Sequence, residues 1–315
     1  MQRFGIIGVA GYIAPRHLQA IKETKNKLVV GMDISDSVGV MDTYFPEAEF
    51  FTEFASFEEF LEDERIAGRK LDFITICSPN YLHVPHIKCA LKNGINVICE
   101  KPLVLNSADL DLITEYERNY GASVNSILQL RLHPTIQQLK LEVEKSNTKN
   151  PFDVDLTYIT SRGKWYSRSW KGDEYKSGGV AANIGVHFFD MLHYIFGEII
   201  DTSIQFRDEQ TCSGFTKYEK ANVSWFLSIN SEHLPENPIK GEKLTHRSIK
   251  IAGKEIEFSG GFTDLHTVSY EQILSGNGFS VRENRPAILT VENIRTARID
   301  GSRKRVHPLL KRLVR

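Results

Sequence analysis

Two short stretches hold the groups in this chain best suited to chemistry. In the first, Glu100-Lys101-Pro102, a lysine and a carboxylate follow the apolar run that ends at Cys99. In the second, Ser177 to Asp190, the paired glycines Gly178 and Gly179 precede Asn183 and His187. Asn183 and His187 are four positions apart, so in a helix they share one face, and the glycines let backbone and ligand approach closely. Histidine exchanges a proton near neutral pH, and lysine does so where burial or positive neighbours favour its neutral form. An amide does neither, which confines Asn183 to hydrogen bonding. The same strings would suit a core helix start with a buried, satisfied histidine and a solvated surface lysine. What precedes them decides for chemistry.

The chain opens with Gly8-x-x-Gly11-x-x-Ala14, placed after the β-rich run Arg3 to Val9 and before helical spacing through Leu18 and Ile21. In that context small residues let a pyrophosphate reach the amides of a helix N-terminus. The turn carries one residue more than the G-x-G-x-x-G form and brings Tyr12 and Ile13 into the expected cofactor contact. Asp33 ends the second strand about 20 residues later, where a carboxylate accepts from ribose hydroxyls and repels a 2′-phosphate. NAD is therefore expected in preference to NADP. Ser78, Asn80 and His83 follow the fourth strand, in a loop of the kind that binds ligands at a switch point.

The elements that must position these groups fall into two grammars. Strands at Leu28 to Met32, Leu71 to Cys77, Asn96 to Cys99 and Ser123 to Leu128 alternate with helices at His83 to Asn93 and Ser107 to Tyr120. This predicts a Rossmann domain, a doubly wound parallel sheet, over residues 1–125. Residues 126–315 start with a helix at Pro134 to Lys145 and continue as strands in succession around one helix, Val180 to Phe196. That pattern predicts an α+β domain with a mainly antiparallel open sheet. The basic tail Arg303 to Arg315 reads as a surface or subunit-contact segment.

Composition excludes several classes. With 315 residues, 41% hydrophobic, 25% charged and a net charge of -1, the chain is an ordinary globular one with no general attraction to nucleic acid or an acidic membrane. No stretch approaches the roughly 20 apolar residues of a spanning helix, and a cytoplasmic protein is expected. Cys77, Cys89, Cys99 and Cys212 lack metal-ligand spacing and read as reduced thiols, so no metal is expected.

Together the glycine turn, Ser78-Pro-Asn-x-x-His83, Glu100-Lys-Pro102 and Gly178-Gly-x-x-x-Asn-x-Gly-x-His187 resemble the glucose–fructose oxidoreductase/inositol dehydrogenase (Gfo/Idh/MocA) family. Longer strings, Gly8 to His17, Leu128 to Pro134, Trp165-Tyr166 with Ser169 to Gly172, and Asn183 to Asp190, are similar to its UDP-N-acetylglucosaminuronate 3-dehydrogenases of O-antigen (lipopolysaccharide) sugar synthesis. The resemblance implies NAD-dependent oxidation of the sugar C3 hydroxyl, with Lys101 or His187 as the base. It adds Glu100, Lys101 and Gln129 to the cofactor contacts. For the substrate it implies Lys101, Arg131, Asn183, His187, His266 and Tyr270.

A UDP-sugar acid brings a diphosphate and a carboxylate, and the segment Arg162 to Lys171 offers matching cations and aromatic surface in Lys164, Trp165, Tyr166, Arg168 and Lys171. A homotetramer, and recycling of NADH in place by 2-oxoglutarate with Arg16 among the candidate cations, are further implications of the resemblance. A dehydrogenase of another sugar or inositol, and a non-catalytic NAD-sensing regulator on the same fold, are the alternatives.

Overall fold

The computed structural model describes residues 1–148, 150–235, 244–258, 260, 264–300 and 305–314. Arg303 and Arg315, the ends of the expected basic tail, lie outside them. The chain forms two compact units, Met1–Gln129 with Thr263–Arg285, and Leu130–Phe262 with Pro286–Arg315.

In the first unit, β1 (Arg3–Ile7), β2 (Lys27–Met32), β3 (Glu49–Phe51), β4 (Phe73–Ile76), β5 (Asn96–Cys99) and β6 (Val124–Ser126) pair in parallel in the order β6-β5-β4-β1-β2-β3. Their near-continuous apolar runs suit a sheet buried on both faces. Strand order reverses between β1 and β4, which places the crevice of such a sheet at the carboxyl ends of those strands. Gly8, Asp33, Ser78 and Glu100 all lie at or just beyond such ends.

Two later segments return to this unit, where the sequence suggests a single boundary after residue 125. Helix Leu265–Leu274 places Tyr270 and Ile273 in one apolar cluster with Phe4, Leu18 and Ile21, and the Tyr270 ring stacks on Phe4 at 5.9 Å. Strand Phe279–Ser280 pairs antiparallel with β6 and is the seventh strand of the sheet. Burial of Tyr270 and Ile273 against β1 and helix Ala14–Glu23 is the physical reason that these residues belong here.

The second unit contains β7 (Phe152–Thr160), β8 (Ile199–Arg207), β9 (Thr211–Tyr218), β10 (Ala221–Ser228), β11 (Thr245–Ile251) and β12 (Lys254–Glu257) in the order β12-β11-β7-β10-β9-β8. Only the β7–β10 ladder among them is parallel. The helix expected over Val180 to Phe196 is two helices, Gly179–Asn183 and Val186–Phe196. The break has a packing cause. A Cβ on Gly185 would lie 2.6 Å from the Leu227 side chain and 2.4 Å from the Ala181 carbonyl, and the Gly185 N–H reaches back to Val180 O at 3.2 Å. Phe189 then meets Trp225 of β10 edge-on at 5.2 Å.

Part of the tail is core. Val306 and Leu310 pack with Ile159 and Phe226. His307 stacks on Phe226 at 5.5 Å, meets the Thr157 hydroxyl at 3.2 Å and accepts the Leu309 N–H as the cap of helix Pro308–Leu313.

Burial lowers the His307 pKa to about 3. The unfolded chain binds that proton near the ordinary value of about 6.5, so stability is fully present above about pH 6.5 and falls as pH drops toward 3. By about pH 5 this one group removes roughly 2 kcal/mol. His307→Asn keeps a capping side chain without a titrating ring, so the urea midpoint of the variant should fall less than that of the parent between pH 7.5 and 5. Equal losses would remove His307 from the acid sensitivity of the fold.

Candidate functional site

The first unit is shaped for a dinucleotide. Gly8 has φ +87°, and a Cβ there would lie 2.6 Å from the Ser78 nitrogen, so the loops after β1 and β4 can approach only over a glycine. Consecutive turn bonds, Gly11 N–H to Gly8 O and Ala14 N–H to Gly11 O, both 3.0 Å, absorb the extra residue before helix Ala14–Glu23 begins. Asp33 is held by two amides: Oδ2 accepts from Ala10 N–H and Oδ1 from Ser35 N–H, both at 3.0 Å. Each oxygen retains a lone pair for a ribose hydroxyl. Tyr12 is 93% exposed, while Ile13 and Gln129 are half-buried. The glycine cradle and the anchored carboxylate fit NAD.

Ser78, Asn80 and His83 are all buried. The Ser78 hydroxyl meets His86 Nδ1 at 2.8 Å, and burial lowers the His86 pKa to about 4. His83 clasps two loops: Nδ1 lies 2.8 Å from Pro102 O and Nε2 2.9 Å from Ser78 O. Burial lowers its pKa against the opposing pull of those carbonyls. His83 thereby braces the loop after β4 against the Glu100-Lys101-Pro102 turn.

The same turn carries a larger buried cluster. Glu100 Oε1 lies 2.9 Å from His17 Nε2 and 3.1 Å from His266 Nε2, and Oε2 accepts the main-chain N–H of Lys101 at 3.2 Å. His17 Nδ1 meets the Tyr270 hydroxyl at 2.9 Å, and that hydroxyl meets Thr75 Oγ1 at 2.7 Å. Burial alone pushes the Glu100 carboxyl up, but opposing influences led by the hydrogen bonds from His17 and His266 hold the group well below the usual carboxylate range. His266 and Tyr270, expected as substrate contacts, thus lie inside the first unit around Glu100. His17 had no assigned role. It lies on the apolar stripe Ala14, Leu18, Ile21 of its helix, and a polar residue on a buried stripe requires a partner. His17, Glu100 and His266 also form a group of metal-type ligands, their atoms all within 4.8 Å of one another.

The second unit carries other expected site residues. Gly178 and Gly179 take φ of +78° and +69° in succession, the left-handed backbone that favours glycine, directly before helix Gly179–Asn183. The Asn183 side-chain amide donates to the Tyr166 hydroxyl. His187 is half-buried in the first turn of helix Val186–Phe196. Arg131 is buried and engages Asp190 through two nitrogens, Nε at 2.9 Å and Nη2 at 2.6 Å.

Lys164, Tyr166 and Lys171 line a cavity of about 750 Å³ together with Arg162, Arg207 and Arg295, where five cations face three carboxylates. Trp165 and Arg168 are exposed but outside that lining. Lys171 Nζ lies 3.9 Å from the Trp170 ring centre.

Residues 2–126 match the NAD-binding Rossmann domain of the Gfo/Idh/MocA oxidoreductase family, and residues 147–225 match its C-terminal alpha/beta domain. The chain is 24% identical over 199 residues to the glucose-6-phosphate 3-dehydrogenase of Bacillus subtilis, covering 62% of this chain and 54% of that protein. It is 24% identical over 230 residues to the D-glucoside 3-dehydrogenase of Escherichia coli, covering 70% and 63%. The chain thus spans less than two thirds of the length of these curated relatives. Among solved structures it is similar to the WlbA (WbpB) dehydrogenase from Thermus thermophilus in complex with NAD and alpha-ketoglutarate, at 47% identity and a TM-score of 0.94 over 98% of this chain and 99% of that one. The same dehydrogenase with NAD and UDP-GlcNAcA matches at 46% identity with the same score and coverage. Among the described residues no helix is long and apolar enough to cross a membrane. The matches to both domains, joined to the parallel sheet, the glycine cradle and the anchored Asp33, place this chain in the Gfo/Idh/MocA oxidoreductase family.

Proposed function

We propose that this protein oxidises the C3 hydroxyl of UDP-N-acetylglucosaminuronate to the 3-keto sugar with NAD. The observation that carries the reading is the near-complete match to a dehydrogenase solved with NAD and UDP-GlcNAcA. The cation-lined cavity of the second unit supports it, since a diphosphate and a carboxylate need such a lining. An unactivated sugar or inositol brings no anion to such a lining.

NAD, when bound, supplies the acceptor for the hydride from C3. Gly8 admits its pyrophosphate to the helix N-terminus, and Asp33 takes its ribose hydroxyls. The hydroxyl proton must pass to a base within hydrogen-bond reach. Lys101, after β5, and His187, in the second unit, are the two groups for that role. Asn183, tied to Tyr166, offers hydrogen bonds only. The resemblance further supports a cytoplasmic homotetramer that works in O-antigen sugar synthesis.

Four outcomes test this reading. Asp33→Ala should weaken NAD binding about ten- to a hundred-fold, the worth of a charge-assisted hydrogen bond, and narrow the preference over NADP. Fluorescence titration with both cofactors measures this, and unchanged affinities would remove Asp33 from the cofactor site. In a panel of nucleotide sugars and free sugars followed by reduced-nicotinamide absorbance, only the UDP-sugar acid should react rapidly. Lys101→Met and His187→Asn should each lower that rate at least about 10²-fold while NAD still binds. A variant with near-normal turnover would lose its place in the mechanism. Finally, the protein should purify with bound dinucleotide, and steady turnover should require 2-oxoglutarate in place of added NAD. Many turnovers on free NAD without a keto acid would overturn recycling but leave the dehydrogenase reading standing.

A further inference from the structure

The proposed chemistry leaves the cluster around Glu100 without a role, yet its hydrogen atoms can be placed by elimination. An ionised carboxylate only accepts, so the nitrogens 2.9 and 3.1 Å from Oε1 both carry protons. That fixes His17, as a neutral ring, in the Nε2–H form with a bare Nδ1, which must accept the phenolic proton of Tyr270 at 2.9 Å. With that proton given, the 2.7 Å contact between Tyr270 and Thr75 is donated by the threonine. A single direction of donation runs from Thr75 through Tyr270 and His17 to Glu100. His266 donates to the same oxygen, and its Nδ1 is buried with no hydrogen-bond partner among the described residues.

A divalent metal is the other occupant that two imidazoles and a carboxylate invite. A metal on both Nε2 atoms would move the His266 proton to Nδ1, where no acceptor meets it. Metal-bound histidines almost always donate that N–H. The hydrogen-bonded arrangement leaves only an unfilled lone pair there, and it accounts for the Tyr270 and Thr75 contacts as well.

The remaining carboxylate oxygen, Oε2, accepts the main-chain N–H of Lys101 at 3.2 Å. We infer that His17, His266 and Tyr270 are positioning residues for Lys101: they hold the Glu100 carboxylate as a fixed acceptor, and Glu100 holds the backbone from which the lysine side chain projects. The inference rests on the role proposed for Lys101 in sugar oxidation.

The titratable groups around Glu100 are His17, His83, His266, Tyr270, Cys77 and Cys99, with Lys101 next in the chain. Burial pushes the two thiols and the phenol well above their ordinary values and lowers His17 and His83. Removal of one donor from Glu100 leaves its burial in place, so its carboxyl should take up a proton at higher pH and release Lys101 as pH falls.

His17→Phe retains a ring and removes the donor, whereas His17→Gln supplies an amide N–H at similar reach. In His17→Phe, kcat should drop about tenfold below the parent at about pH 6 and stay within about threefold at about pH 8.5, with NAD affinity within about twofold. His17→Gln should recover most of the loss at low pH. A pH-independent loss shared by both variants, or an unaltered profile in His17→Phe, would overturn the inference. A second measurement needs neither variant nor substrate. Nitrogen-15 histidine spectra of the intact protein should show His17 as a neutral Nε2–H tautomer from about pH 7 to 8. A cationic ring, an Nδ1–H tautomer or stoichiometric metal in the purified protein would overturn it. If the parent oxidises no sugar, the proposed function fails, and these spectra still decide whether the cluster is built as argued.

Discussion

A buried carboxylate constrains much of the first unit. Leaving water costs an ion several kcal/mol unless hydrogen bonds replace the lost hydration. Glu100 recovers them from three parts of the chain: His17 on helix Ala14–Glu23, His266 on helix Leu265–Leu274, and the amide of its own successor. Helix Leu265–Leu274 must therefore return to the first sheet although some 130 residues of the second unit come before it. Tyr270 serves this return twice, its ring stacking on Phe4 and its hydroxyl on His17. Apolar burial supplies most of the attraction, and the polar contacts fix which face of the helix turns inward.

A second constraint acts where main chains approach. Gly8 leaves no room for a side chain between the loops after β1 and β4, and His83 braces the β4 loop against the turn at Pro102. Cofactor turn, switch-point loop and lysine turn are thus linked to one another before any ligand arrives. Preorganisation of this kind keeps the ordering of loops from being charged against cofactor affinity.

What the sequence disclosed and what it hid follow from the range of the interactions involved. The alternating strands, the glycine turn and Asp33 were legible because each rests on local periodicity or on spacing within about 30 residues. Helices Phe54–Ile66, Leu265–Leu274 and Val281–Thr296 and strand Thr211–Tyr218 went unread. Thr211–Tyr218 holds glycine, serine and threonines at buried positions, so it lacks the apolar alternation of a strand. The return of residues 263–285 depends on contacts across about 250 positions, which no local pattern carries. His17 was the exception, a long-range partner with a local sign, since only a paired polar group belongs on a buried stripe.

The cations of the second unit divide by the same accounting of partners. Arg131, buried on Asp190 and within 5.4 Å of the Tyr194 ring centre, has its charge matched inside the fold. Arg207 donates to the carbonyls of Ile294 and Arg295, near the end of helix Val281–Thr296, where cations are favoured. Arg162 and Lys164 line the cavity from exposed positions. A charge already desolvated and paired gives an incoming anion little, because its partner must first be displaced. A hydrated cation on a cavity wall exchanges water for phosphate oxygens at lower cost. On that reasoning Arg162 and Lys164, rather than the more deeply buried Arg131, are the better placed to meet the anionic substrate proposed above.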